Sequence, residues 1–247
     1  MTKQEFLDGF YVQSDEVGDL SSPGYTPAEL SIIVSKIQED LAVTKYSPKS
    51  NRLQEGFEET EKRIQDLGEL VKYKSYTTFT TGFFDNSVEI VLPNTLITVG
   101  PTDFSDVYWF TIFEEVRSNI LDCTIPDNTT RYVKPEISDV AHGSLLVALR
   151  DPFRKPYIKA NKGKVLRVRT EGRKHLLITD GSFNVTEYML GYVKKPQPID
   201  LTTTLTTQVS ELSDPFHREL LDATINYCFR ITDQAQKFQI DTTIPKE

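Results

Sequence analysis

Apolar positions along this chain repeat at two spacings, and the change of spacing divides it. Leu30, Ile33, Val34, Ile37 and Leu41 mark one face of a helix running to about Val43. Thr26-Pro27-Ala28-Glu29 sets its start, with a Thr cap, a first-turn proline and a Glu at the third helical position. After a turn at Ser47-Pro48-Lys49-Ser50, Leu53, Phe57, Ile64, Leu67 and Val71 continue at near-heptad spacing. Glu55, Glu58, Glu59 and Glu61 crowd the start of this second helix, while Lys72 and Lys74 fall at its end, as the helix dipole favours. The short turn predicts an antiparallel helical hairpin over residues 26–75.

From Tyr76 to Ile137 the spacing becomes two. Ser87–Leu92, Thr95–Val99, Val107–Phe113 and Arg131–Ile137 read as strands, separated by Pro, Gly, Asn and Asp. In the third of these, Val107, Trp109, Thr111 and Phe113 are expected on one face, with Tyr108, Phe110 and Ile112 on the other. A short helix is expected from Ser138 to about Arg150, stopped ahead of Pro152. Lys164–Thr170 and Arg173–Thr179 form a hairpin signal through Glu171-Gly172, and Asn184–Lys194 is a last strand. Asp214 or Ser213 then caps a helix to about residue 234, with Pro215 in its first turn. Leu221, Ile225 and Cys228 mark its inner face. Four substantial helices and about seven strands that do not alternate define an α+β chain.

Both ends read as appendages. Residues 1–25 carry a capping box at Thr2–Glu5, followed by Phe6, Leu7 and Phe10. Gly9, Gly18 and the Ser21-Ser22-Pro23-Gly24 run are expected to break any longer helix. The expectation is an arm that orders on a neighbour, with Phe6, Leu7 and Phe10 as its docking side chains. The β-rich region and the last helices group as residues 76–235, leaving a polar tail over 236–247.

Composition narrows the possible functions. With 38% hydrophobic residues the chain can bury a core. No apolar run approaches the roughly 18 residues that a membrane span needs, and the start Met1-Thr2-Lys3-Gln4-Glu5 shows no secretory signal. Two cysteines, Cys123 and Cys228, predict free thiols in a reducing compartment. The net charge of −8 argues against wholesale nucleic-acid binding. That charge is uneven: Arg150–Lys174 holds ten Lys/Arg against two acids. Arg154 and Lys155 sit in a proline-bounded loop, and Arg167 and Arg169 share one strand face. These four are expected to dock an acidic protein surface, a solvated face being the alternative.

Chemistry-bearing motifs are missing. There is no phosphate loop, no Gly-x-Gly-x-x-Gly, no nucleophile elbow and no His-Glu-x-x-His. His142, His175 and His217 share no metal-ligand spacing with the cysteines, and His217 is expected at the surface or at a cap. Glu114 and Glu115 are adjacent, so on a strand they point to opposite faces and form no acid/base dyad. No catalytic residue, metal site or cofactor is expected. A receptor- or carbohydrate-binding tail module would fit the aromatic β-rich middle, and a small enzyme would need a pocket assembled by the fold.

Four segments carry a family resemblance: Tyr108-Trp109-Phe110-Thr111, Ala141–Pro156, Tyr188–Ile199 with Tyr192-Val193-Lys194-Lys195-Pro196 at its centre, and Phe216–Ile225. From about Val107 onwards the chain resembles the virion connector, or ring, proteins of crAss-like podoviruses. The resemblance implies a helical bundle with an inserted β-rich region. It implies a ring at the portal–tail junction of the virion, assembled in the host cytoplasm. The implied partners are the portal protein, other ring or tail proteins, and copies of the chain itself, twelve to match a twelve-fold portal. Genome DNA would pass through the lumen without sequence-specific binding, and no membrane or cofactor would be involved.

Overall fold

The computed structural model describes residues 1–17, 24–47, 61–95, 106–120, 132–159, 162–170 and 173–243. Leu53 and Phe57, the strand expected over 95–99 beyond Thr95, Cys123 and the Glu171-Gly172 turn lie outside them. The fold is α+β, a helical bundle with an inserted β-rich region. Unit 1 comprises residues 1–70 and 196–247, and unit 2 comprises Val71–Lys195. The boundaries expected at 25, 75 and 235 therefore give way to a split at 70/71 and 195/196, with the last helix joining the first ones.

Unit 1 contains α1 (Lys3–Val17), α2 (Pro27–Tyr46), α3 (Glu61–Leu67) and α5 (Asp214–Thr243). The capping boxes read from the sequence are both present. Thr2 and Glu5 exchange bonds of 2.8 and 3.2 Å, and Thr26 and Glu29 exchange bonds of 2.9 and 3.3 Å. Helix α1 runs through Gly9 instead of breaking there, because the glycine lies against α5. A Cβ at Gly9 would stand 3.1 Å from the Leu221 side chain. Phe6, Leu7 and Phe10 are buried in this unit with Leu220, Leu221 and Ile225. The amides of Lys3 and Gln4 also bond the carbonyls of Thr207 and Leu205. Residues 3–17 thus form a core helix of the unit and not the loose arm expected.

Helix α2 holds the extended segment after Pro196 through its polar positions. Ser35 and Ser31 accept from the amides of Ile199 and Leu201, at 2.8 and 2.9 Å. Buried Gln38 donates to the Gln197 carbonyl at 2.9 Å and accepts from Ser210 at 2.6 Å. Lys45 bridges Asp66 and Glu219, tying together α2, α3 and α5. The C-terminal helix extends to Thr243, past the predicted end, so residues 236–243 are helical and not a tail.

The expected second helix stops at Leu67. A 3-10 turn follows over Gly68–Leu70, and Val71–Tyr76 is strand β1. Lys72 and Lys74 are therefore strand residues and do not cap a helix. The local cause is Gly68 followed by the Val-Lys-Tyr-Lys-Ser-Tyr alternation, which suits a pleat better than a helix.

Unit 2 has two sheets. The first contains β1, β4 (Asn94–Thr95), β5 (Asp106–Ile120), β6 (Tyr132–Val133) and β11 (Phe183–Lys194), in the order β1-β11-β5-β4 with β6 on β5. The second contains β2 (Thr80–Thr81), β3 (Ser87–Val91), β7 (Glu136–Asp139), β8 (Tyr157–Lys159), β9 (Lys162–Thr170) and β10 (Lys174–Ile178). Its order is β2-β3-β10-β9-β7 with β8 also on β9, and only β7 and β9 pair in parallel among the described strands.

Tyr188, Leu190 and Tyr192 of β11 and Val116 of β5 meet Ile90, Val165 and Leu177 of the second sheet in one core. The other face of that sheet, Leu166, Val168, Leu176 and Ile178, packs on α4 (Leu145–Arg150) through Leu145 and Ala148. Strands β9 and β10 are thus covered on both sides, which accounts for the nearly continuous burial of Val165–Val168 and His175–Ile178. In β5 the pairing with β11 skips Ile112 and Trp109. Each skip is a bulge that resets the side-chain alternation, so the two faces expected for Val107–Phe113 do not hold. Ser138 and Asp139 lie in β7, and the helical segment begins later, with a 3-10 turn over His142–Ser144.

Candidate functional site

Two features of unit 2 bear on function, one buried and one exposed. The buried one joins the sheets. Val165, Arg167 and Arg169 alternate along one face of β9, as the sequence predicts, but they lie at different depths. Arg167 is 5% exposed, whereas Arg169 lies out in solvent. The Arg167 guanidinium donates to the Glu114 carboxylate on β5 and to Asp139 on β7, the latter at 3.0 Å. Tyr188 on β11 also donates to Glu114, at 2.9 Å. His175 on β10 stands 2.8 Å from the Tyr188 hydroxyl through Nδ1. Because Tyr188 gives its proton to Glu114, its oxygen accepts from His175 Nδ1–H. That assigns the tautomer and leaves Nε2 bare, and Nε2 is buried without a hydrogen-bond partner in this structure.

Electrostatics follow from this burial. His175 is 1% exposed, and burial, then the charges of Arg167 and Arg169, push its pKa down to about 3. Burial and the adjacent Glu114 raise the Tyr188 hydroxyl well above its usual range. Glu115 points to the opposite face, where Lys134 at 2.7 Å and Arg117 at 3.4 Å hold its carboxylate below its ordinary value. An open groove of about 510 Å³ passes over Glu114, Arg167, Ile137 and Arg169. Its floor is the Arg167–Glu114 ion pair, and Glu136 and Arg169 also line it.

The exposed feature is the knuckle that follows α4. Helix α4 turns Leu145 and Ala148 inward and Leu146, Val147 and Arg150 outward. The chain then folds over Asp151: its amide bonds the Val147 carbonyl, and its own carbonyl accepts from Arg154 and Lys155. The Asp151 carboxylate fixes the Phe153 amide at 2.9 Å and pairs loosely with Arg154 at 3.8 Å. Phe153 is 88% exposed, and Leu146 and Val147 are each 61% exposed. Arg154 and Lys155, expected as docking residues, stand here in solvent.

The remaining expected docking residues are elsewhere. Arg167 is held by the inter-sheet pair, Phe6, Leu7 and Phe10 are buried side chains of unit 1, and Arg169 is exposed with Asp139 3.7 Å away. His217 is fully buried and not at the surface. It lies four residues before Leu221, on the inner stripe of α5, with Nε2 3.2 Å from the Ser210 carbonyl. Cys228 is a buried thiol outside any disulfide, and burial raises its pKa to about 11. Among the described residues there is no cluster of His, Cys, Asp or Glu able to hold a metal, and no helix long and apolar enough to cross a membrane.

Charge divides between the units. Unit 1 carries 11 Lys/Arg against 22 Asp/Glu, and unit 2 carries 17 against 14. Unit 1 is thus strongly acidic, and unit 2 bears an exposed basic-apolar knuckle. The family model for phage tail ring protein 3/4 matches residues 1–229, and the chain belongs to that family. It is a crAss-like phage ring protein. Two curated relatives come from Bacteroides phage crAss001. Ring protein 3 is 28% identical over 236 residues, covering 91% of this chain and 94% of the relative. Ring protein 4/5 is 23% identical over 217 residues, covering 86% of this chain and 80% of the relative.

Proposed function

We propose that this chain forms one closed ring at the portal–tail junction of a short-tailed phage, and that the ring lines the genome exit channel. The observation that carries the reading is the family match over residues 1–229, which spans both units. The split charge supports the same reading. A ring built head to tail repeats one contact between two different surfaces, and an acidic unit beside a basic-leaning one supplies two such surfaces. The net charge of −8 per copy suits a channel through which DNA slides, because dense Lys/Arg contacts to phosphate would hold it. The role is structural, the partners are the portal and neighbouring ring or tail proteins, and twelve copies match a twelve-fold portal.

Native mass spectrometry of the purified chain, alone and with its portal, tests this. The expected result is a single closed species of uniform copy number that bridges the portal to the next tail component. A chain that stays monomeric with its portal present, at every salt concentration, would refute it.

A further inference from the structure

We propose that the knuckle of residues 146–155 is the homotypic contact of the ring, seated on the acidic helical unit of the next copy. The proposal rests on the ring reading above and adds the surface and its occupant. Three observations carry it. First, the knuckle joins apolar and cationic side chains: Leu146, Val147 and Phe153 stand beside Arg150, Arg154 and Lys155, all exposed. Large exposed apolar groups among cations match protein interfaces, where aromatic residues and Arg are enriched. Second, the knuckle is rigid before it meets anything. Its hydrogen bonds at Asp151 and the prolines at 152 and 156 fix the backbone, so little ordering is required on contact. Third, the charge fits a second copy. Unit 1 has twice as many acids as bases, so each copy brings both a basic knuckle and an acidic acceptor.

Four other cations of the basic stretch are engaged within the chain. Arg167 and Arg169 face Asp139, Lys174 pairs with Glu89 at 2.7 Å, and Arg173 donates to Asn94 at 2.6 Å. Duplex DNA is the other acidic surface available, but it offers nothing to cover Phe153, Leu146 and Val147.

The test uses the full-length chain carrying Phe153→Ser, Arg154→Glu and Lys155→Glu together. All three side chains are solvent-exposed, so circular dichroism and thermal melting should match the parent. Ring assembly with the portal is read by native mass spectrometry, and duplex DNA binding by anisotropy. The expected result is a rise of roughly tenfold or more in the concentration needed for assembly. The charge-conserving pair Arg154→Lys and Lys155→Arg should assemble like the parent. Mixing the triple variant with the parent should give short open arcs, because each variant copy still offers one intact acidic surface. If the triple variant closes rings as the parent does, the knuckle is not the contact, while the ring reading stands. If rings are unchanged and salt-sensitive DNA binding disappears, the surface belongs to DNA and the proposal is overturned. A parent chain that never closes a ring with its portal present overturns both readings.

Discussion

Arg167 and Glu114 lie on different sheets of unit 2, and the guanidinium of the first is bonded to the carboxylate of the second inside the sandwich. The pair ties the two sheets together, and each partner is also held from the side, Arg167 by Asp139 and Glu114 by Tyr188. Buried pairs of this kind contribute little over a well-packed apolar substitute, yet breaking one partner is costly because it strands the other charge. Arg167→Met should therefore destabilise unit 2 by about 3–5 kcal/mol. Adding Glu114→Gln should recover part of that loss. Urea denaturation of the two single variants and the double variant checks this, and strictly additive losses would mean that the pair is uncoupled.

Acid should weaken unit 2 through His175. Its folded pKa of about 3 lies below the unfolded value near 6.5, so between these values the unfolded chain binds the proton and the folded chain does not. Stability from this group is fully present above pH 6.5 and is lost progressively as pH falls toward 3. The slope is at most about 1.4 kcal/mol per pH unit for a single group. His217, also lowered by burial, acts in the same direction in unit 1. His175→Gln should flatten the dependence of unit 2 alone. Denaturation midpoints measured from pH 4 to 7 in parent and variant would show it, and an unchanged slope would exclude His175 as the source.

The first helix should be needed for the fold of unit 1. Phe6 is completely buried, so Phe6→Ala should cost about 3–5 kcal/mol. Gly9→Val should cost about 1–3 kcal/mol, because its branched side chain has no room 3.1 Å from Leu221. Thermal melts of both variants decide between this view and that of a detachable arm, for which neither change would matter.

Unit 1 should fold without its insert. Val71 pairs with Val193, so the chain leaves and rejoins unit 2 side by side, and a short Gly/Ser bridge in place of 71–195 spans a small gap at that end. The expected product is a helical protein with a cooperative melt. A molten product, with helical content but no cooperative transition, would show that the helices depend on the β-rich unit.

The elements written in local signals were legible in the sequence. Both capping boxes, the Pro27 and Pro215 helix starts and the alternation of the strands ending at Thr170 and Lys194 depend on neighbours a few residues apart. Long-range facts were not legible. The acceptor that pairs with Arg167 lies 53 residues away, and the first helix is bonded to carbonyls near Leu205, about 200 residues on. Two misreadings did have a visible signal. His217, Leu221, Thr224 and Cys228 share one helical stripe, and the Val71–Tyr76 alternation conflicts with the heptad that leads into it.

The antiparallel pairing of β1 with β11 has a mechanical consequence. Tension drawn through both connections pulls these strands in the same direction, so it does not slide one past the other. The load passes to the ladder between β11 and β5, which runs from Phe183 paired with Ile120 to Lys194 paired with Tyr108. There the pull lies along the strands, and the bonds share it in parallel instead of opening one at a time. The longest of the described strand pairs is thus the one that resists when the insert is pulled through its two connections.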